Sequence, residues 1–340
     1  MKLTLSSRHF QLKLKHPFTI SRFSRTHQDT VVVSVSDGEF TGYGEAIPYA
    51  YYNITKGKIE HSLEKSRALI EDNYGLHPDE LWIKLETHLK DDYFTLCALN
   101  CAYWDFYAKS QGRTTRSYFT NDLENLPLSD FTIGIDTIEV MKKKILEMPW
   151  PIYKIKLGTA QDVKIVSELR KITNAIFRID ANCAWTVQET LSNAKKLKTL
   201  GVEFIEQPLK AEDWEGMKLL KNECVLPVIA DESCQRLEDV EKCAEVFHGI
   251  NIKLMKCGGI TPALEMIKIA RAKHMMIMAG CMAESSVGIA SLCQIAPLID
   301  YLDADGALLL ETDAADGILI KDGAVFYGQN KGSGIINLKF

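Results

Sequence analysis

Residues 152–208 read IYKIKLGTAQDVKIVSELRKITNAIFRIDANCAWTVQETLSNAKKLKTLGVEFIEQP. Three short apolar runs stand in this stretch: Ile152–Leu157, Ile176–Asp180 and Val202–Glu206. Each is too short for a helix of its own and is followed by a longer segment of helical texture. In the first such segment Val163, Val166, Leu169 and Ile172 recur every three residues, a spacing that gathers apolar side chains on one helix face. The stretch therefore reads strand, helix, strand, helix, strand.

The alternation continues on both sides. Phe131–Ile135 precedes it, and Pro227–Asp231, Ile250–Leu254, Met275–Gly280 and Tyr301–Asp303 follow, giving eight strand candidates. Eight strand-then-helix units in a row predict an α/β fold, a (β/α)8 TIM-type barrel, here over residues 126–311. Such barrels run from about 200 residues upward, so this one is compact. The flanks have another texture. Residues 1–57 read as β, with a turn at Asp37-Gly38, and residues 58–112 read as helices. Strands followed by helices predict an α+β capping domain over residues 1–125. Residues 312–340 return to strands and turns and are expected to pack back on the cap.

Composition bounds the function. The chain has 340 residues, 46% hydrophobic and 25% charged, which is ordinary globular usage. Its 40 Lys+Arg against 45 Asp+Glu give a net charge of −5, which argues against a nucleic-acid binder. The longest nearly apolar run, Met275–Ala283, spans nine residues, against the ~20 of a membrane helix. The N-terminus alternates apolar and charged residues and lacks a secretory core, so a soluble cytoplasmic protein is expected. The nine cysteines include no CxxC pair and are expected to be reduced, mostly buried thiols.

In such barrels the chemistry sits at the C-terminal strand ends. Here strand 2 ends Lys154-Ile155-Lys156, strand 3 Asp180-Ala181-Asn182, and strand 4 Glu206-Gln207-Pro208. Strand 5 ends Asp231-Glu232-Ser233, strand 6 Asn251-Ile252-Lys253, and strand 8 Asp303-Ala304-Asp305. Singly, an acid after a strand reads as a helix N-cap, and a Lys-x-Lys pair as a solvated edge. Together they are specific, because an apolar strand should not end in an inward charge unless that charge is paired or ligated. Three carboxylates from successive strand ends suit a hard cation such as Mg²⁺. Strands 2 and 6 are opposite in an eight-stranded ring, so lysines there would face each other across a substrate. Two opposed bases beside a divalent cation suit removal and return of a proton α to a carboxylate, through an enediolate.

Over essentially its whole length the chain resembles the muconate-cycloisomerase-type branch of the enolase superfamily, a group for which a Lys base and Mg²⁺-stabilised enediolates are established chemistry. The resemblance is carried by Gly42-Tyr43-Gly44-Glu45-Ala46, Trp104-Asp105 with Ala108-Lys109, and the five strand ends from Lys154-Ile155-Lys156 to Asn251-Ile252-Lys253. It implies Asp180, Glu206 and Asp231 as metal ligands, rather than Glu232, and Lys156 and Lys253 as the acid/base pair, rather than Lys256. It also implies that Lys154 contacts the substrate carboxylate. Asp303-Ala304-Asp305 and Gly280-Cys281-Met282 are similar to the dipeptide epimerases of the L-Ala-D/L-Glu type, in which an Asp-x-Asp pair binds the dipeptide's ammonium. Thr132, Cys281 and Met282 join the expected substrate-binding set.

Pro17–Arg25 resembles the family's first mobile loop, in which Arg22 or Arg25 would hold a side-chain carboxylate. Tyr49, Tyr51 and Tyr52 would line a wall of the site or lie in the cap core. The resemblance implies a small dipeptide substrate, a homo-oligomer, and a role in cell-wall peptide metabolism. Alternatives in the same fold are o-succinylbenzoate synthase, N-acylamino-acid racemase and muconate cycloisomerase activity. A Schiff-base lysine aldolase barrel and a catalytically dead binding barrel are the readings from other classes. No GxSxG, HxH or HExxH is present. Gly258-Gly259 reads as a tight turn, Gly332-Ser333-Gly334 as no phosphate cradle, and Lys142-Lys143-Lys144 and Lys195-Lys196 as solvated helix faces.

Overall fold

A computed structural model describes residues 2–339. Its N-terminal part is a three-stranded antiparallel sheet, β1 Thr4–Ile20, β2 Phe23–Ser36 and β3 Thr41–Ala46, in that order. Three helices follow: α1 Lys56–Glu71, α2 Pro78–His88 and α3 Tyr93–Ser110. The nearly all-buried α3 lies against β3. That approach requires Gly42 and Gly44, where a Cβ would stand 2.1 Å from Phe106 N and 2.0 Å from Ala98 O.

Pro17–Arg25 is not a loop. It forms the outer end of the β1–β2 hairpin, with Ile20 opposite Phe23 and only Ser21 and Arg22 in the turn. The register shift between Lys13 and Phe18 brackets Pro17, which has no N–H to give to the ladder.

The eight barrel strands are β4 Phe131–Ile133, β5 Ile152–Lys156, β6 Ile176–Asp180, β7 Val202–Glu206, β8 Val228–Ala230, β9 Gly249–Ile252, β10 Met276–Gly280 and β11 Tyr301–Asp303. All neighbouring pairs are parallel, in sequence order. The ring closes between last and first through a Ser129–Leu302 bridge and Asp130 N donating to Leu302 O. Three of the strands match the sequence reading to the residue, and the others differ only at their ends.

Because side chains alternate, one set of each strand points into the ring. Phe204, Ile229 and Met278 make a small apolar cluster there. Arg178 is also buried, and its guanidinium meets Asp130 Oδ2 and Glu203 Oε2, both at 2.9 Å. This buried ion pair was not legible in the sequence.

Helices between the strands form the outer layer. In α5, Asp162–Arg170, the core face is Ile165, Val166 and Leu169, while Val163 and Ile172 are half-buried, so the buried face is turned from the expected one. Strand end β9 leads into a short turn of helix, Leu254–Cys257, and Gly258-Gly259 joins it to the helix Ile260–Ala272 at positive φ, 95° and 116°. The glycine pair thus makes its turn between two helices. Lys144 of α4, Ile138–Glu147, is buried against Asp136 at 3.2 Å, so it is not part of a solvated face.

The tail reaches both parts. Ser333 N donates to Asp105 Oδ1 at 2.6 Å in the cap, and Ser333 O accepts from Gln294 on the barrel side. All nine cysteines are free, and all but Cys183 and Cys224 are buried. Among the described residues no helix is long and apolar enough to cross a membrane.

Candidate active site

The inward charges of the strand ends converge at one rim. Asp180, Glu206 and Asp231 each present a carboxylate oxygen within 4.8 Å of the others, and all three are buried. Glu206 is fixed by Asn251, whose Nδ2 donates to Oε1 at 2.8 Å. Gly280 makes room for that amide, since a Cβ there would stand 2.7 Å from it.

The local backbone serves the same end. Asn182, two residues after β6, and Gln207, directly after β7, have positive φ of 45° and 35°. A non-glycine residue there costs on the order of 1–3 kcal/mol, a strain typical of functional sites. In return Asn182 N donates to Asp180 Oδ1 at 2.9 Å. Gln207 Oε1 accepts from Asp231 N and Ser233 N at 2.9 and 3.1 Å, tying the ends of β7 and β8 together.

Lysines neutralise the trio. Lys154 Nζ stands 2.7 Å from Glu206 Oε2, 2.8 Å from Asp303 Oδ2 and 3.5 Å from Asp180 Oδ2. Lys156 Nζ is 2.5 Å from the same Asp180 oxygen. Lys253 Nζ is 2.8 Å from Asp231 Oδ2, and Lys256 Nζ is 2.7 Å from Asp231 Oδ1. Lys256 also donates to the carbonyls of Asp231 and Cys234, at 2.5 and 2.8 Å. Spacing alone did not give Lys256 this role; it lies three residues after Lys253, where the chain turns back.

These contacts sort the titrations. Burial pushes Asp180 up, but Lys156 and Lys154 outweigh it and hold the carboxyl below its usual range. For Asp231, Lys253 and Lys256 overcome burial by more, and it lies well below that range. Burial and the charge of Asp180 push Glu206 up to about 7. Burial would lower Lys253, yet Asp231 holds it above its ordinary value.

The donor set fits a hard divalent cation: all-oxygen, triply anionic, converging from three adjacent strands. Glu206 Oε2 supports this, because it is buried and its contact with Lys154 lacks hydrogen-bond geometry.

Above the rim lies a cavity of about 50 Å³. Lys156 and Lys253 line it, on strands four places apart in the ring of eight. Asp303 and Asp305 form its side wall with Thr132, whose N–H donates to Asp305 Oδ2 at 2.5 Å. Burial and neighbouring Asp303 raise Asp305 to about 7. Asp303 stays below its usual range, since Lys154 outweighs burial. Cys281 Sγ lies 3.9 Å from Asp303 Oδ1 and 3.8 Å from Asp305 Oδ1, and Met282 lines the same cavity.

The cap closes the top with Phe18, Ile20, Arg22, Arg25, Tyr49 and Tyr52. Tyr51 does not reach this cavity; its ring lies outside, under Arg22 at 4.4 Å. The two arginines differ. Arg22 Nη2 is 2.5 Å from Glu232 Oε1 and is thereby neutralised. Arg25 has no ion pair among the described residues, and its buried Nε has no hydrogen-bond partner. Glu232, left open as a metal ligand by the residues alone, serves as the Arg22 partner.

A parallel eight-stranded ring with an α+β cap, three rim carboxylates and opposed lysines defines a class. Residues 137–336 match the family described as "Enolase C-terminal domain-like", and residues 3–116 match the "Mandelate racemase / muconate lactonizing enzyme, N-terminal domain". The chain belongs to this enolase superfamily, and it is an isomerase of the racemase and epimerase kind.

Among its relatives, the L-Ala-D/L-amino acid epimerase of Flavobacterium johnsoniae is 52% identical, over 98% of this chain and 99% of that protein. The substrate-liganded L-Ala-D/L-Glu epimerase of Bacillus subtilis superposes with TM-score 0.94 at 25% identity, covering 100% of both chains. A dipeptide epimerase of Enterococcus faecalis V583, complexed with Mg and L-Leu-L-Tyr, superposes with TM-score 0.92 at 28% identity, over 99% of this chain and 100% of that one.

Proposed function

We propose that the protein is a Mg²⁺-dependent dipeptide epimerase that inverts the α-carbon of the C-terminal residue by 1,1-proton transfer. The observation that carries this reading is the pair Lys156 and Lys253, entering one cavity from opposite strands beside the Asp303–Asp305 wall. Two amines on opposite faces of one carbon are what inversion by proton exchange needs: one takes the proton and the other returns it. Asp303 and Asp305 suit the free ammonium of a dipeptide, since two carboxylates make strong charge-assisted hydrogen bonds to it.

Asp180, Glu206 and Asp231 hold the cation in this reading. When bound, Mg²⁺ supplies electrostatic stabilisation of the charge that develops on the substrate carboxylate as the α-proton leaves. Lys154, buried among Asp180, Glu206 and Asp303, contributes a fixed positive charge on the same side. The cap keeps water from the reacting carbon. Arg25, which has no acid partner among the described residues, is assigned in this reading to a carboxylate on the C-terminal side chain.

The relatives' printed names support the reading, and so does the complex of the Enterococcus protein with Mg and a dipeptide. The test is a mass-spectrometric screen of L,L-dipeptide pools in D₂O with Mg²⁺. One deuterium should enter the C-terminal residue, and Lys156→Ala and Lys253→Ala should each abolish epimerisation. Full two-way epimerisation by both variants refutes the two-base assignment, and no incorporation into any dipeptide refutes the function.

A further inference from the structure

Beside the rim trio, a second group brings three metal-ligating side chains together. Cys281, Asp303 and Asp305 each present one donor atom, all within 4.8 Å of one another and all buried. Among the described residues only this group and the rim trio do so. The strands explain the convergence. Asp303 ends β11 and Asp305 follows it, at the seam where β11 meets β4. Cys281 directly follows β10, the strand paired to β11, and its N–H donates to Asp303 O at 2.9 Å.

The hydrogen bonds leave one oxygen of each carboxylate turned to the sulfur. Lys154 takes Asp303 Oδ2 at 2.8 Å, and the Thr132 N–H takes Asp305 Oδ2. Cys281 Sγ lies 3.9 Å from Asp303 Oδ1 and 3.8 Å from Asp305 Oδ1. A thiol has one hydrogen, so at any moment one of these two buried oxygens is without it. The Gly306 N–H donates to the sulfur, which favours a thiolate. A tetrahedral zinc, with bonds of about 2.3 Å to sulfur and about 2.0–2.2 Å to oxygen, sets those ligands about 3.5–3.7 Å apart. The separations found are close to that. All three residues line the cavity of about 50 Å³, room for an ion and a water.

The chemistry differs from that of the rim. A thiolate selects soft and borderline ions such as Zn²⁺, while Asp180, Glu206 and Asp231 offer only oxygen, which suits Mg²⁺. Lys154 stands between the two sets, 2.7 Å from Glu206 Oε2 and 2.8 Å from Asp303 Oδ2, and its ammonium separates them.

We propose that Cys281, Asp303 and Asp305 form a second metal site, for a thiophilic divalent cation such as Zn²⁺. Coordination expels the thiol proton to solvent, and water takes the fourth position. The site itself stands on these residues alone. Its consequence rests on the dipeptide-epimerase reading, in which the same two carboxylates seat the substrate's ammonium. The cation and the dipeptide then exclude each other, so Zn²⁺ inhibits in competition with the dipeptide while Mg²⁺ holds the rim.

The experiment titrates Co²⁺, an absorbing substitute for Zn²⁺, into the Mg²⁺-saturated protein. A sulfur-to-cobalt charge-transfer band in the near ultraviolet should saturate at about one ion per chain, and Zn²⁺ should bleach it. Co²⁺ on the all-oxygen rim gives no such band. Cys281→Ser should abolish it. Should that variant fail to fold by circular dichroism, Asp305→Asn should weaken Co²⁺ binding about tenfold or more. A dipeptide that exchanges deuterium should suppress the band in the unaltered protein. No band, a band undiminished in Cys281→Ser, or binding unmoved in Asp305→Asn overturns the site and leaves the epimerase reading standing. A band that such a dipeptide does not displace overturns the competition. Deuterium exchange in no dipeptide refutes the epimerase reading, while the band still decides the site.

Discussion

Replacing Lys256 by Met tests whether the carboxylate rim is held from behind by a buried ammonium. The side chain is fully buried, 2.7 Å from Asp231 Oδ1, and it donates to the carbonyls of Asp231 and Cys234. Removing one partner of a buried ion pair costs about 3–5 kcal/mol, because the other charge stays desolvated. Asp231 keeps Lys253 at 2.8 Å on its other oxygen, which favours the lower end. The two carbonyls lose a donor, however, at about 1–3 kcal/mol for each group left unsatisfied. With each term at its lower end, about 3 kcal/mol for the pair and about 1 for each carbonyl, the net loss is about 5 kcal/mol, a large share of a typical stability of about 5–15 kcal/mol. Urea unfolding followed by circular dichroism should show a clearly lower midpoint with an unchanged slope. Lys195→Met, on an exposed helix face, serves as control and should change stability by no more than about 0.5 kcal/mol. A loss below about 1 kcal/mol in Lys256→Met would refute the argument, since the ammonium would then be dispensable to the rim.

Glu284 is buried with no ion pair among the described residues, and burial together with Glu45 raises its carboxyl well above the ordinary value, against a lowering by Lys253. Its cost is absent below the unfolded-state pKa and grows as pH rises towards the folded one. Glu284→Gln should therefore raise the melting temperature at pH 8 and change it little at pH 4.5; an equal shift at both would refute this. Gly44→Ala forces a methyl group to within 2.0 Å of Ala98 O, so α3 must leave the sheet; soluble yield and melting temperature should both fall sharply, and a native-like melting curve would refute the close approach. Arg25→Leu should cut kcat/KM for dipeptides with an acidic C-terminal residue by about 10–100-fold and spare apolar ones, read by deuterium exchange; a uniform loss would assign the arginine a structural role.

The barrel was legible because its strands are buried on both faces and so run continuously apolar, ending abruptly in charge at one rim. That contrast, repeated at Asp180, Glu206 and Asp303, placed those strand ends to the residue. The hairpin end at Pro17–Arg25 was read as a loop from its resemblance to the family's mobile loop; strand pairing, together with Ile135 N donating to Thr19 O and Arg22 meeting Glu232, holds it extended. Contacts between distant residues were out of reach. Arg22 meets Glu232 across 210 positions, and Lys154 meets Asp303 across 149, so neither the tied arginine nor the engaged lysine could be told from spacing.

Those distant pairs also show how the rim tolerates so much buried charge. Asp180, Asp231 and Asp303 each have at least one lysine in hydrogen-bond contact and lie below the usual carboxyl range. Glu232 is raised despite Arg22, and two further carboxyls of the cavity and rim, Glu206 and Asp305, are raised to about 7. One belongs to the oxygen trio and the other to the seam wall. Positive charge arriving next to such a carboxyl favours its anionic form. Glu206 and Asp305 thus lie apart. One lies where the proposed reaction brings a divalent cation, and the other where it brings a dipeptide's ammonium.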